Sequence, residues 1–178
     1  PKEQKAFNEM YYSQKKFDEA ILINNDSLYN LVLNGDGTNL GMLGMIDEYG
    51  GTNAANLAAY YSGMIYLKMN DYQNSIKYLS EFNSDDMILG SLATGSIGDA
   101  FAELNQFEDA YEYYVKASKN NNSYTSPIYL FKAGLIAMKL EKFKKAEGYF
   151  SSIKSDYSKS AEAKNIDAYI SKARASYQ

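Results

Sequence analysis

Three features of the sequence predict an all-α fold, an α-solenoid of stacked helical hairpins. A motif repeats three times at a spacing of about 35 residues, and short polar joints divide each copy. No stretch alternates apolar and polar residues as a half-buried strand does. Because 178 residues are enough for one sizeable core, we predict a single domain.

The repeat is anchored by Gly63, Gly98 and Gly134, which lie 35 and 36 residues apart. Nine residues after each glycine comes an aromatic residue: Tyr72, Phe107 and Phe143. Twelve residues after it comes a small one: Ser75, Ala110 and Ala146. Sixteen residues after it comes a large one: Leu79, Tyr114 and Phe150. A glycine inside a helix costs about 1 kcal/mol relative to alanine, so its recurrence indicates a close contact between helices. We expect the small residue to face the glycine from the antiparallel partner helix.

The polar joints are Asn70-Asp71, Asn105-Gln106 and Glu141-Lys142. Together with the helical pattern they predict helices at residues 3–22, 27–33, 38–49, 53–69, 72–83, 87–104, 107–119, 126–140, 143–155 and 158–175. These helices form a degenerate N-terminal unit, three hairpins and a capping helix, at 1–52, 53–89, 90–125, 126–157 and 158–178. A solenoid needs such a cap to cover its last apolar face.

The repeated positions resemble the tetratricopeptide repeat (TPR), which has a glycine, an aromatic residue at the turn and then a small residue. The tryptophan that leads the family pattern is replaced by Ala59, Thr94 and Leu130. The proline that closes it is replaced by Met87, Asn122 and Ser158. The resemblance implies helical hairpins of the TPR kind, stacked into a right-handed superhelix.

Residues 34–63, 97–104 and 157–173 also resemble a bacterial family of membrane-anchored TPR proteins, similar to an ancillary subunit of the export translocon and to cell-division coordinators. This resemblance implies a periplasm-facing domain in the cell envelope, behind one N-terminal transmembrane helix. Because the sequence opens at Pro1, we expect it to be a fragment that lacks the anchor or a signal peptide.

The composition disfavours several classes of function. The chain has no histidine and no cysteine, so the usual general base, the commonest zinc ligand and thiolate chemistry are absent. A net charge of −4 with no block of lysine or arginine argues against nucleic-acid binding. We therefore expect no enzyme, no cofactor and no metal.

The glycine-rich stretch at 34–41, NGDGTNLG, could open a dinucleotide site or contribute to a calcium loop. No second strand pattern follows it, and the acidic spacing of a calcium loop is missing. We interpret it as a turn in which Thr38 caps the next helix.

Three groups of side chains could form binding or catalytic surfaces. The tyrosine pairs 11–12, 60–61 and 113–114 could be stacking platforms, but we expect one member of each in the core and the other at the rim. Asp99 and Glu103 could form a carboxylate pair, and Lys142, Lys144 and Lys145 a basic patch. For both of these groups, a solvated helix face is the favoured interpretation.

The TPR resemblance implies that the first helix of each pair lines a concave groove. Counting from the glycines, its lining residues are Tyr60, Met64, Lys68, Gly95, Asp99, Glu103, Phe131, Leu135 and Lys139. All but Gly95 are predicted partner contacts. This mixture of apolar and charged residues suits an extended or helical peptide better than a metabolite. Alternatively, neighbouring helices or an oligomer cover these positions.

The favoured function is a non-catalytic scaffold that binds a protein partner in the cell envelope. The alternative is a glycan- or peptidoglycan-associated module, or a non-catalytic subunit of an envelope enzyme complex. The sequence leaves the identity of the partner and the oligomeric state open.

Overall fold

The computed structural model describes residues 1–178 and is 74% helical. Its ten helices are α1 Lys2–Ile23, α2 Asp26–Asn34, α3 Met42–Tyr49, α4 Asn53–Lys68, α5 Tyr72–Glu81, α6 Met87–Glu103, α7 Phe107–Ser118, α8 Ser126–Lys139, α9 Phe143–Asp156 and α10 Ile166–Ala175. One isolated bridge between Gly35 and Leu40 is the only extended pairing. The predicted all-α fold of successive helical hairpins is confirmed. None of the helices combines the length and the apolar character that a membrane span requires.

The six hairpin helices, α4 to α9, all begin at the predicted residue and end within two residues of the predicted end. Their joints share one geometry. Asn70, Asn105 and Glu141 each lie seven residues after a repeat glycine and adopt a left-handed backbone, with φ of 60°, 58° and 58°. In each joint the next N–H bonds back five residues, as from Asp71 to the Tyr66 carbonyl (2.9 Å). This is a Schellman ending, and it lets each helix stop and the chain reverse.

Two predicted helix starts are wrong. Thr38 does not cap α3, which begins after Gly41. The Asp36 carboxylate accepts the N–H groups of Thr38 and Asn39 at 2.9 and 2.7 Å, so these donors are used in a turn. The capping helix begins at Ile166 instead of 158, because residues 158–165 form turns that end in a left-handed Asn165 (φ 60°).

The chain divides into two compact units, residues 1–83 and 84–178. In the first unit, α1 packs against α2, α3 and α4, around a core that includes Met10, Tyr29, Leu33, Met42, Met45 and Ile65. Polar contacts fix α1 along this core, since Ser13 donates to the Leu40 carbonyl (2.6 Å). The degenerate N-terminal helices therefore share one core with α4.

The N-terminus of α4 is capped from two places. The Thr52 hydroxyl accepts the N–H of Ala55 at 3.1 Å. The Glu3 carboxylate, on α1, accepts the N–H groups of Asn53 and Ala54, both at 3.1 Å. These N–H groups have no acceptor inside the helix, so Glu3 satisfies donors that the helix itself leaves open.

Replacing Glu3 by alanine should lower the free energy of unfolding by about 1 kcal/mol, the typical effect of losing a helix cap. Glu3→Gln keeps one oxygen acceptor and should lose less. Urea denaturation of the three proteins measures the difference. Equal stability of Glu3→Ala and the wild type would show that the contact contributes nothing.

In the second unit, the helices form two layers. The first layer is α6, α8 and α10, which meet where the Tyr129 ring lies against Gly95 and where the Phe131 ring meets the Tyr169 ring edge-on at 4.9 Å. The second layer is α7 and α9, joined by a hydrogen bond between the hydroxyls of Tyr111 and Tyr149 (2.7 Å). The capping helix α10 packs Ile166, Ile170 and Ala173 into the core, as expected of a cap.

The repeat glycines do make close helix contacts, but the predicted partner needs correction. The large residue sixteen positions later lies against each glycine: Leu79 on Gly63, Tyr114 on Gly98 and Phe150 on Gly134. The small residue twelve positions later is buried beside this contact. In the first repeat, Ser75 also donates a hydrogen bond to the Gly63 carbonyl (2.9 Å).

Candidate functional site

The predicted lining residues fall into two groups. Tyr60, Met64 and Lys68 lie on α4 in the first unit, and the others lie on α6 and α8 in the second. Tyr60 is only 9% exposed, and its ring packs 5.8 Å from that of Tyr61 and 5.2 Å from that of Phe82. Tyr60 is thus a packing residue of the first unit, whereas Met64 is half-buried and Lys68 is exposed.

Asp99 joins three helices of the second unit. Its Oδ1 accepts hydrogen bonds from the Tyr114 hydroxyl on α7 and from Lys132 Nζ on α8, both at 2.6 Å. Burial raises the pKa of Tyr114, and the charge of Asp99 raises it further. The solvated face expected for Asp99 is therefore wrong, because two donors of the chain already hold its carboxylate. Glu103 lies exposed on the same helix.

Gly95 does not line an open surface. The Tyr129 ring covers it, so this predicted lining position is instead a contact between α6 and α8. The role of Lys132 as the ion-pair partner of Asp99 could not be predicted from the sequence either. This lysine lies beside the predicted residues on α8, but nothing in the repeat pattern marks it as the partner of Asp99.

The predicted residues of α8 form one stripe, because they are spaced four apart. Phe131 is half-buried, with its ring 5.8 Å from that of Phe150 and 4.9 Å from that of Tyr169. Leu135 is 41% exposed. Lys139 is exposed, and its ammonium lies 4.1 Å above the centre of the Phe107 ring. The stripe therefore presents the exposed Leu135 between Phe131 and Lys139. Contacts with other aromatic rings hold both of these side chains in place.

Two of the three tyrosine pairs, 60–61 and 113–114, follow the expected division between core and rim. Tyr114 is buried and stacks on Tyr129, whereas Tyr113 is half-buried against Phe101. In the N-terminal pair, Tyr11 is 69% exposed and its neighbour is half-buried, so the expected core member is missing. The other two pairs are thus mainly packing elements.

The predicted basic patch differs from a freely solvated face, because aromatic rings hold its ammonium groups. Lys142 and Lys145 lie 4.5 and 5.9 Å from the centre of the Tyr111 ring, and Lys144 lies 5.5 Å from that of Tyr177. Beneath them, burial and the hydrogen bond with Tyr111 raise the pKa of Tyr149 to about 12.

The raised pKa of Tyr149 makes a prediction about stability at alkaline pH. A tyrosine whose pKa is higher in the folded state contributes to the stability of the fold. This contribution is complete below the ordinary pKa of 10 and is lost as the pH rises towards about 12. Tyr149→Phe should be less stable than the wild type at neutral pH, and the difference should shrink between pH 10 and 12. Urea denaturation at several pH values tests this. A difference that stays constant would contradict it.

The chain has no cluster of three or more acidic, histidine or cysteine side chains that could hold a metal ion. In the glycine-rich loop, the N–H and amide groups of Asn39 and the N–H of Thr38 hold the pKa of Asp36 far below its usual range. The Asp36 carboxylate therefore serves the turn itself.

Comparison with known families agrees with this geometry. The tetratricopeptide repeat family model matches residues 57–85, which lie in α4, α5 and the segment after them. A search of curated proteins gave no match. Such repeats generally mediate protein–protein interactions and are typically non-catalytic. The second and third hairpins repeat the glycine contact and the left-handed joint of the first. Residues 57–85, in α4, α5 and the segment after them, are thus similar to a tetratricopeptide repeat.

Proposed function

We propose that the chain is a non-catalytic scaffold that binds a segment of a partner protein on the exposed stripe of α8, formed by Phe131, Leu135 and Lys139. The general role of TPR repeats in protein–protein interaction supports a protein partner. The exposure of Leu135 carries the choice of surface.

The chemistry of the stripe suits an extended or helical segment with one apolar anchor. Covering the exposed part of Leu135 would remove apolar surface from water and so favour binding. Phe131 is fixed by two rings and Lys139 by one, so little freedom of these side chains is lost when a partner docks. Lys139 would favour an acidic residue in the partner segment, four positions or one helical turn from the apolar residue that contacts Leu135.

The proposal includes a location in the cell envelope. It rests on the resemblance of residues 34–63, 97–104 and 157–173 to membrane-anchored TPR proteins. Fractionation of cells that express the full-length gene product tests this. Recovery in the membrane or periplasmic fraction would support it, and recovery in the cytosol would contradict it.

A photoreactive amino acid at position 135 tests the binding surface. It should form one discrete adduct with a cellular protein, which mass spectrometry can identify together with the cross-linked peptide. The matched control is the same group at Leu22, which is 86% exposed on α1 in the first unit. No adduct at position 135, or the same adducts at both positions, would exclude the α8 stripe as the binding surface.

A further inference from the structure

A second surface of the second unit has a distinct chemistry. Around the start of α9, a cleft of about 400 Å³ is lined by Glu141, Lys142, Phe143, Lys144, Lys145 and Tyr177. We call these residues the lysine cleft. Its aromatic rings and the stems of its lysines provide apolar walls, and three ammonium groups lie around them. This volume is within the range of ligand-binding clefts, about 300–1,000 Å³.

The ammonium groups of the lysine cleft are held in position. Lys142 and Lys145 lie over the Tyr111 ring, which is fixed by the hydrogen bond between Tyr111 and Tyr149. Lys144 lies over the ring of Tyr177, whose hydroxyl donates to Glu147. Cation–π contacts of this kind are attractive even at exposed sites, so they bias where a lysine points.

The charge of the cleft is not neutralised by the chain. Lys142 pairs with Glu108 at 2.6 Å, but Lys144 and Lys145 have no carboxylate within ion-pair distance. Glu147 is occupied by Arg174, which donates from Nε at 2.9 Å. The cleft residues include three lysines and one glutamate, whereas the whole chain has a net charge of −4. The cleft is thus a local basic site in an acidic protein.

We propose that the lysine cleft binds an acidic peptide segment of a partner protein. An apolar side chain of the segment contacts Phe143 and Tyr177, and flanking carboxylates pair with Lys144 and Lys145. Charge complementarity selects this occupant, because the two unpaired cations border an apolar wall. This surface shares no residue with the α8 stripe, so the proposal stands even if Leu135 binds nothing.

The test uses a short fluorescent peptide with glutamates on both sides of one phenylalanine, and measures its affinity by anisotropy. Lys144→Glu/Lys145→Glu should weaken binding about tenfold or more. The matched control is Lys116→Glu/Lys119→Glu, which changes the net charge equally at two exposed lysines of the same unit. Melting curves check that all three proteins fold. Equal weakening by both pairs would show an effect of net charge alone and would overturn the proposal.

Comparison ligands identify the chemistry that is recognised. A peptide with glutamine in place of glutamate should bind about tenfold more weakly, and so should one with serine in place of phenylalanine. Unchanged affinity of either peptide would overturn the assignment. Tighter binding of phosphatidylserine vesicles or of a single-stranded oligonucleotide, lost in Lys144→Glu/Lys145→Glu, would assign the cleft to a membrane or a nucleic acid instead.

Discussion

Replacing Phe150 by alanine should lower the free energy of unfolding by about 3–5 kcal/mol, the largest effect that we expect from a single substitution. Phe150 is completely buried, and its ring lies 5.8 Å from that of Phe131 and 5.4 Å from that of Tyr169. Alanine would leave a cavity at the point where α8, α9 and α10 meet. The loss therefore combines the transfer of the ring to water with the unfilled space.

Phe7→Ala is the matched control, because Phe7 is 41% exposed on α1. It should change the stability by no more than about 0.5 kcal/mol, as surface substitutions usually do. Urea denaturation followed by circular dichroism measures both variants. A loss at Phe150 as small as that at Phe7 would mean that the described core of the second unit is wrong.

Gly134→Ala should lower the free energy of unfolding by about 1–3 kcal/mol, although alanine is the better helix former. A methyl group at position 134 would fall inside the van der Waals envelope of the Phe150 ring. The ring is fully buried and packed by two other rings, so it cannot move aside without disturbing them.

The control for Gly134→Ala is Gly148→Ala on α9, where a methyl group would meet nothing within 4 Å. Gly148→Ala should raise the stability by up to about 1 kcal/mol through helix propensity alone. The double variant Gly134→Ala/Phe150→Ala tests the contact between the two residues more directly. When Phe150 is already alanine, the methyl group at 134 has room, so its cost should disappear. Strictly additive effects would show that the two residues do not touch.

The helix boundaries could be predicted because their signals are local. Thr52, Asp71 and Asp86 precede α4, α5 and α6, and each side chain accepts an N–H from the first turn of its helix. The polar joints could be predicted equally well, since asparagine tolerates the left-handed backbone that a Schellman ending needs. Even Glu141 adopts it, at the position that the repeat assigns.

The contacts between helices could not be predicted in the same way. The repeat shows that each glycine is close to something, but the choice between residues twelve and sixteen positions later depends on how two helices rotate against each other. The contacts of Asp99 with Lys132 and of Gly95 with Tyr129 join residues 33 and 34 positions apart. Because these pairs recur in no other repeat, no periodicity marks them.

The candidate surfaces show the same limit. The sequence pointed to the residues of the α8 stripe and to the three lysines of the cleft, but it did not show which side chains surround them. The exposure of Leu135 and the rings beneath Lys142, Lys144 and Lys145 depend on side chains from other helices. The sequence also could not show that Tyr60, at the equivalent phase in the first hairpin, is nearly covered.

The affinity of the purified partner, identified by cross-linking at position 135, tests the central claim most directly. Its dissociation constant is measured by calorimetry for the wild type, Leu135→Asp and Leu22→Asp. Because an apolar anchor at the centre of an interface is worth about 2 kcal/mol or more, Leu135→Asp should weaken binding about thirtyfold. Leu22→Asp places the same charge at a more exposed leucine, on α1 of the first unit, and should leave the affinity unchanged. Equal affinities of wild type and Leu135→Asp, with both proteins folded, would contradict a binding surface on α8.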